Sequence, residues 1–224
     1  MASWIRNNRT FLICILLFGV FRTAVADWNP IPSGSMRPTL LEGDVVFVNR
    51  LAFDVKVPLT DVIVTRLGDP HRGDVVTFSS PSDGTRLIKR VMAVPGDTIE
   101  MRDKMLTVNG RQATYEPVGI AIEHPAPGID IDALRVDEKT GDRGHLIQWF
   151  LQQGHSERDS FGPLVVPADR YLVLGDNRDN SADSRSFGFV PRERLIGRAV
   201  AILVSANITG DWAPRFDRFG DKLD

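Results

Sequence analysis

Apolar residues fall along this chain in one unbroken run followed by a series of short alternating ones. Phe11–Phe21 (FLICILLFGVF) is apolar throughout, with Arg6 and Arg9 ahead of it and Arg22 directly behind. Basic residues on the leading side place the N-terminus in the cytoplasm and the main body across the membrane. Eleven residues fall short of the roughly 20 that a spanning helix needs and match the core of a secretory signal. Ala24-Val25-Ala26 supplies an A-x-A cleavage site for that reading. Thr10–Ala26 serves as an anchor instead if Arg22 extends its guanidinium to the interface.

From Glu42 onward the period changes to that of strands. Asp44–Val48 and Asp74–Phe78 are short β-branched runs, each opened by a Gly-Asp turn at Gly43 and Gly73. Leu51–Arg72 between them reads as an irregular connection. Leu87–Val94 is a strand stopped by Pro95-Gly96, a type II turn pair. Thr98–Met101 and Met105–Val108 follow, and Asn109-Gly110 predicts a tight hairpin into Arg111–Tyr115. Tyr171–Leu174 and Leu195–Val204 close the set, with Gly197 a candidate bulge. The expected fold is all-β, mostly antiparallel sheets, with one short N-terminal membrane helix.

Residues 116–160 differ in character. They hold prolines 117, 125 and 127, many charges, one strong apolar run (His145–Leu151) and three of the four histidines, His124, His145 and His155. That histidine spacing fits no zinc pattern, so no metal and no other cofactor is expected. The tail from Gly210 is polar with Trp212, Phe216 and Phe219 interspersed, suited to rest on the body or on a membrane surface. The expected division is 1–10 cytoplasmic, 11–26 anchor, 27–115 first part of a β core, 116–160 an inserted subdomain, 161–209 second part of the core, and 210–224 a tail. A net charge of −2 argues against nucleic acid as a partner. Cys14 is the single cysteine, so no intramolecular disulfide forms.

Three stretches carry chemistry. Ile31–Leu40 (IPSGSMRPTL) sets Ser35 behind Gly34 in a turn closed at both ends by Pro32 and Pro38. A serine hydroxyl needs a neighbouring base to become a nucleophile, yet neither G-x-S-x-G nor S-x-x-K surrounds Ser35. The second stretch offers one in Lys89, which alternation puts on the same strand face as Leu87 and Val91. The third, Gly175–Pro191, is dense in polar residues. A calcium register starting at Asp179 fails, with Ser184 at its sixth position and Val190 at its twelfth. A loop tied by internal hydrogen bonds and an Asp183–Arg185 ion pair is the better reading.

Together the segments resemble the type I signal peptidases, membrane-bound serine proteases of exported proteins. The resemblance rests on Pro32–Leu40 (PSGSMRPTL), Arg72–Phe78 (RGDVVTF), Leu87–Val91 (LIKRV) with Pro95-Gly96-Asp97, and Gly175–Arg185 (GDNRDNSADSR), in the family's order. It implies Ser35 as nucleophile and Lys89 as general base, with the Ser35 N–H and Ser33 hydroxyl forming the oxyanion hole. Ser181 would hydrogen-bond and orient Lys89, and Asp183 and Arg185 would hold the loop. Ile31, Pro32, Met36, Leu40, Leu87 and Ile88 would line shallow pockets for small side chains. The family's retained N-terminal segment favours the anchor over the cleaved signal, an inner-membrane protein with its catalytic body on the outer or periplasmic side. Signal peptides of exported pre-proteins and membrane lipid are the implied partners; the oligomeric state is left open.

Other readings remain at this point. One is a specialised peptidase of conjugation or pilus proteins with the same dyad, and another a non-catalytic tethered β module that binds exported chains. A self-cleaving repressor would need a DNA-binding domain ahead of the serine. A Ser/His/Asp enzyme would need a histidine better placed than His71, which sits in a Pro/Gly turn.

Overall fold

The computed structural model describes residues 4, 7–58, 60, 62–126, 128–141 and 143–223. Arg6 of the basic N-terminal flank lies outside them. The apolar run forms one helix, α1 (Arg9–Ala24), none of whose residues is buried. Its 16 residues extend about 24 Å at 1.5 Å per residue, and no helix among the described residues is long and apolar enough to cross a membrane.

The rest is β structure, in chain order β1 (Ala26–Pro30), β2 (Asp44–Asn49), β3 (Asp54–Lys56), β4 (Ile63–Arg66), β5 (Val75–Ser79), β6 (Arg86–Ala93), β7 (Thr98–Arg102), β8 (Met105–Val108), β9 (Arg111–Gln112), β10 (Thr114–Ala126), β11 (Ile129–Thr140), β12 (Arg143–Phe150), β13 (Phe161–Val165), β14 (Arg170–Leu174), β15 (Val190–Pro191) and β16 (Leu195–Ser205). All named strand pairs are antiparallel. The main sheet runs β1-β2-β16-β5-β6-β14-β15, a second β13-β7-β8-β9 and a third β10-β11-β12. The 51–72 connection, expected to be irregular, contains the β3–β4 ribbon.

Alternation distributes the core over both faces of the main sheet. On β5, Val75 packs with Ile31, Met36 and Leu40, while its neighbour Val76 packs with Phe78, Val91 and Tyr171. The predicted turns carry the backbone the sequence asked for. Asn109 and Gly110 both have positive φ, as a two-residue hairpin of this hand requires. At Gly197 the β16–β5 register shifts. A Cβ there would lie 2.6 Å from the Asn49 carbonyl oxygen, which explains the glycine.

Both ends of the chain are fastened to this body. Asp27, at the start of β1, meets Arg22 of α1 and Arg86 of β6, and the Arg22 guanidinium stacks on Trp28. Ala26 and Asp27 are buried and paired with β2, so the A-x-A junction lies inside the sheet once the chain has folded. The tail returns to the body through Arg218, which binds the Thr39 carbonyl and the Asp44 carboxylate. Trp212 and Phe216 stay 70% and 72% exposed, so the tail rests on the body and still presents aromatic rings to its surroundings.

Candidate active site

The Ser35 turn is a single 3₁₀ turn, Gly34–Met36, entered by extended backbone at Ser33. Met36 and Leu40 anchor it by burying their side chains completely under the sheet. These two, with Ile31, belong to the core. The turn uses these large apolar residues to hold itself down. Pro32 is exposed, and Leu87 and Ile88 are half-buried. Ser33 is exposed and Ser35 half-buried.

Lys89 comes from β6, opposite Val76 of β5, and its Nζ lies 2.7 Å from Ser35 Oγ. Nζ also donates to the Ile88 carbonyl at 2.9 Å. A neutral amine donating there keeps its lone pair for the serine hydroxyl. The Lys89 side chain is buried, and desolvation lowers its pKa to about 8, against the pull of the Asp183 and Asp176 carboxylates toward the charged form. A solvated lysine holds about one amine in several thousand neutral at pH 7; at a pKa of about 8 the fraction is roughly a tenth.

The polar loop wraps behind this pair. Arg185 makes a two-point contact with Asp183, at 2.9 and 2.8 Å, and donates to the Arg178 carbonyl at 2.7 Å. Asp183 accepts from the Gly175 N–H and caps the short helix α2 (Ser184–Phe187). Ser181 departs from expectation. Its hydroxyl approaches Asp183 and helps hold that carboxyl low, but it completes no hydrogen bond of normal geometry, to Lys89 or to any other described group. Lys89 already directs its amine at Ser35 and the Ile88 carbonyl.

Gly175 explains how these pieces come so close. A Cβ on it would lie 2.3 Å from Ser181 Oγ and 2.5 Å from the Ser35 carbonyl oxygen. Gly175→Ala is expected to cost about 1–3 kcal/mol, the range of overpacking in a tight interior. It should also displace Ser35, read as a lower unfolding midpoint and slower turnover per folded molecule.

Sequence reasoning missed the second row of this site. Arg90, next to Lys89, lies on the opposite strand face and pairs with Asp176 at 3.0 and 2.8 Å, both side chains being buried. Asn177 donates its side-chain amide to the Gly34 carbonyl at 3.0 Å and its backbone N–H to the Ser35 carbonyl at 3.2 Å. Arg90 was visible as a charge on an apolar strand; nothing in the sequence marked Asn177 apart from its loop neighbours. Among the described residues no group of three or more His, Cys, Asp or Glu side chains is arranged to hold a metal ion.

Comparison with known proteins agrees with this geometry. The family model described as signal peptidase, peptidase S26, matches residues 1–204. Signal peptidase I of Pseudomonas aeruginosa is 35% identical over 213 residues, covering 90% of this chain and 72% of that protein. Signal peptidase I of Pseudomonas fluorescens matches at the same identity and coverage. Signal peptidase I of Rickettsia typhi is 34% identical over 211 residues, covering 89% of this chain and 79% of its own.

Proposed function

Since the chain belongs to the signal peptidase, peptidase S26, family, we propose that it is a membrane-anchored serine endopeptidase that removes signal peptides with Ser35 as nucleophile and Lys89 as general base. The observation that carries the assignment is the 2.7 Å contact between Ser35 Oγ and the buried Lys89 Nζ. In the acylation step Lys89 takes the Ser35 proton while Oγ attacks the scissile carbonyl. The oxyanion is held by the Ser35 N–H and the Ser33 hydroxyl. The Lys89 ammonium then protonates the departing amine, freeing the mature chain. Lys89 next deprotonates a water that hydrolyses the ester, and the signal peptide leaves.

Substrate alignment follows from a gap in the sheet. β14 pairs with β6 only from Arg90 onward, whereas β5 covers the other edge from Arg86. Arg86–Lys89 thus keep one edge free of strand pairing among the described residues, beside the Ser35 turn. A pre-protein held extended there adds as a strand, and its small residues reach the half-buried Leu87 and Ile88. The N-terminal segment acts as the anchor: its helix exposes Phe11, Leu16, Leu17, Phe18 and Phe21, suited to lipid. Its end is fixed to the body through Arg22 and Asp27.

The reading is tested by incubating the full chain in detergent with a peptide spanning a signal-sequence junction. Mass spectrometry should place the cut after a small residue with another two positions upstream; cleavage elsewhere or none overturns it. The pH profile adds a second check. Because the base works as the neutral amine, kcat/KM should rise about tenfold per pH unit below about 8 and level off above it. The same shift has a stability sign. The unfolded chain binds the lysine proton more tightly than the folded one, so the Lys89 contribution to stability increases as pH climbs from about 8 toward 10.5.

A further inference from the structure

The sheet formed by β10–β12 lies in the 116–160 insertion, outside the motifs, yet it is tied directly to the catalytic loop. Glu138 of β11, fully buried, grips the Arg178 guanidinium with both oxygens, at 2.7 and 2.5 Å. Burial raises the Glu138 carboxyl, but Arg178 outweighs it and holds the group below the ordinary glutamate range. β12 pairs in parallel with the loop at Gln148 and Asn177. The Gln148 N–H donates to the Asp176 carbonyl at 2.9 Å and its carbonyl accepts from the Arg178 N–H at 3.1 Å. One residue pair further on, the Phe150 N–H donates to Asp179, which also binds Lys104.

The residue enclosed by these contacts is Asn177. The bonds at Asp176 and Arg178 fix its backbone on both sides, and its own two donors end on the Gly34 and Ser35 carbonyls. Arg178 also passes its carbonyl to Arg185, the partner of Asp183. A continuous chain of hydrogen bonds therefore runs from β11 and β12 through Asn177 to the backbone of the nucleophile.

We infer that the inserted sheet is part of the catalytic apparatus, with Glu138 a positioning residue that acts through Arg178 and Asn177 to set the orientation of Ser35 toward Lys89. The inference rests on the Ser35/Lys89 reading. It differs from a purely structural role in what each variant does to molecules that remain folded.

The experiment measures kcat and KM for Glu138→Gln and Asn177→Ala against a signal-junction peptide, per folded molecule counted by near-ultraviolet circular dichroism. Glu138→Asp serves as the conservative rescue. Positioning predicts that kcat drops about 10–100-fold in both variants with KM within about twofold, and that Glu138→Asp recovers part of the loss. Should Glu138→Gln fail to fold, Asn177→Ala, whose side chain bears no charge, carries the test alone. A kcat per folded molecule within twofold of the parent in every folded variant overturns the inference. Failure of the parent chain to cleave, or equal cleavage by Ser35→Ala, overturns the underlying reading instead.

Discussion

Ser35→Ala and Lys89→Arg should each reduce cleavage of a signal-junction peptide by about 10⁴-fold or more, the scale seen when a member of a nucleophile–base unit is removed. The arginine variant is the more telling of the two. It keeps a positive charge at the position, and a charge-based role for Lys89, such as attracting the substrate or steadying the oxyanion, would survive it. A guanidinium is never deprotonated in a protein, so a base role does not. Lys89→Met complements it: activity should vanish while stability at pH 6 increases by up to about 3 kcal/mol, the upper bound set by a pKa depressed from 10.5 to about 8. Retention of even a tenth of the parental rate in Lys89→Arg removes lysine from the base role.

Asp176→Ala should destabilise the fold by about 3–5 kcal/mol, the scale of cutting one member out of a buried ion pair. Arg90 would be left 1% exposed with its two-point carboxylate contact gone. Thr39 loses its shortest hydrogen bond as well, since its hydroxyl donates to the same carboxylate. The measurement is the urea midpoint of the variant against the parent at pH 7; a shift worth less than 1 kcal/mol would show that Arg90 finds compensation elsewhere. The acid limb of the stability curve is linked to the same pair. Burial alone would raise the Asp176 carboxyl, but Arg90 and Thr39 more than offset it and hold the group below the ordinary aspartate value. Its contribution is present in full above that ordinary value and disappears as the pH falls through the depressed one. Glu138 and Asp183 are depressed in the same direction, so acid unfolding should be steep once it begins.

Much of this arrangement was legible because it depends on local chemistry. Hairpin residues announce their own φ angles, and Asn109-Gly110 and Pro95-Gly96 bend where their types dictate. The β period located β5 and β6 to within a residue, and alternation correctly separated Lys89 from Arg90. What could not be read was the meaning of an apolar residue next to the nucleophile. Met36 and Leu40 are sequence neighbours of Ser35, but whether an apolar side chain faces inward or outward depends on strands distant in sequence. Long-range pairing hid the second row for the same reason. Glu138 reads as one charge among many in a polar stretch, and only the fold brings it to Arg178, 40 positions away. The Ser181 hydroxyl, assigned to Lys89 by resemblance, shows that matching a motif transfers a residue type more securely than it transfers a hydrogen bond.

The contact between Arg218 and the Thr39 carbonyl joins residues 179 positions apart. Its consequence is one of timing. The serine turn is synthesised 179 positions ahead of the arginine that clamps it, so this contact closes only after the whole intervening β body has been made.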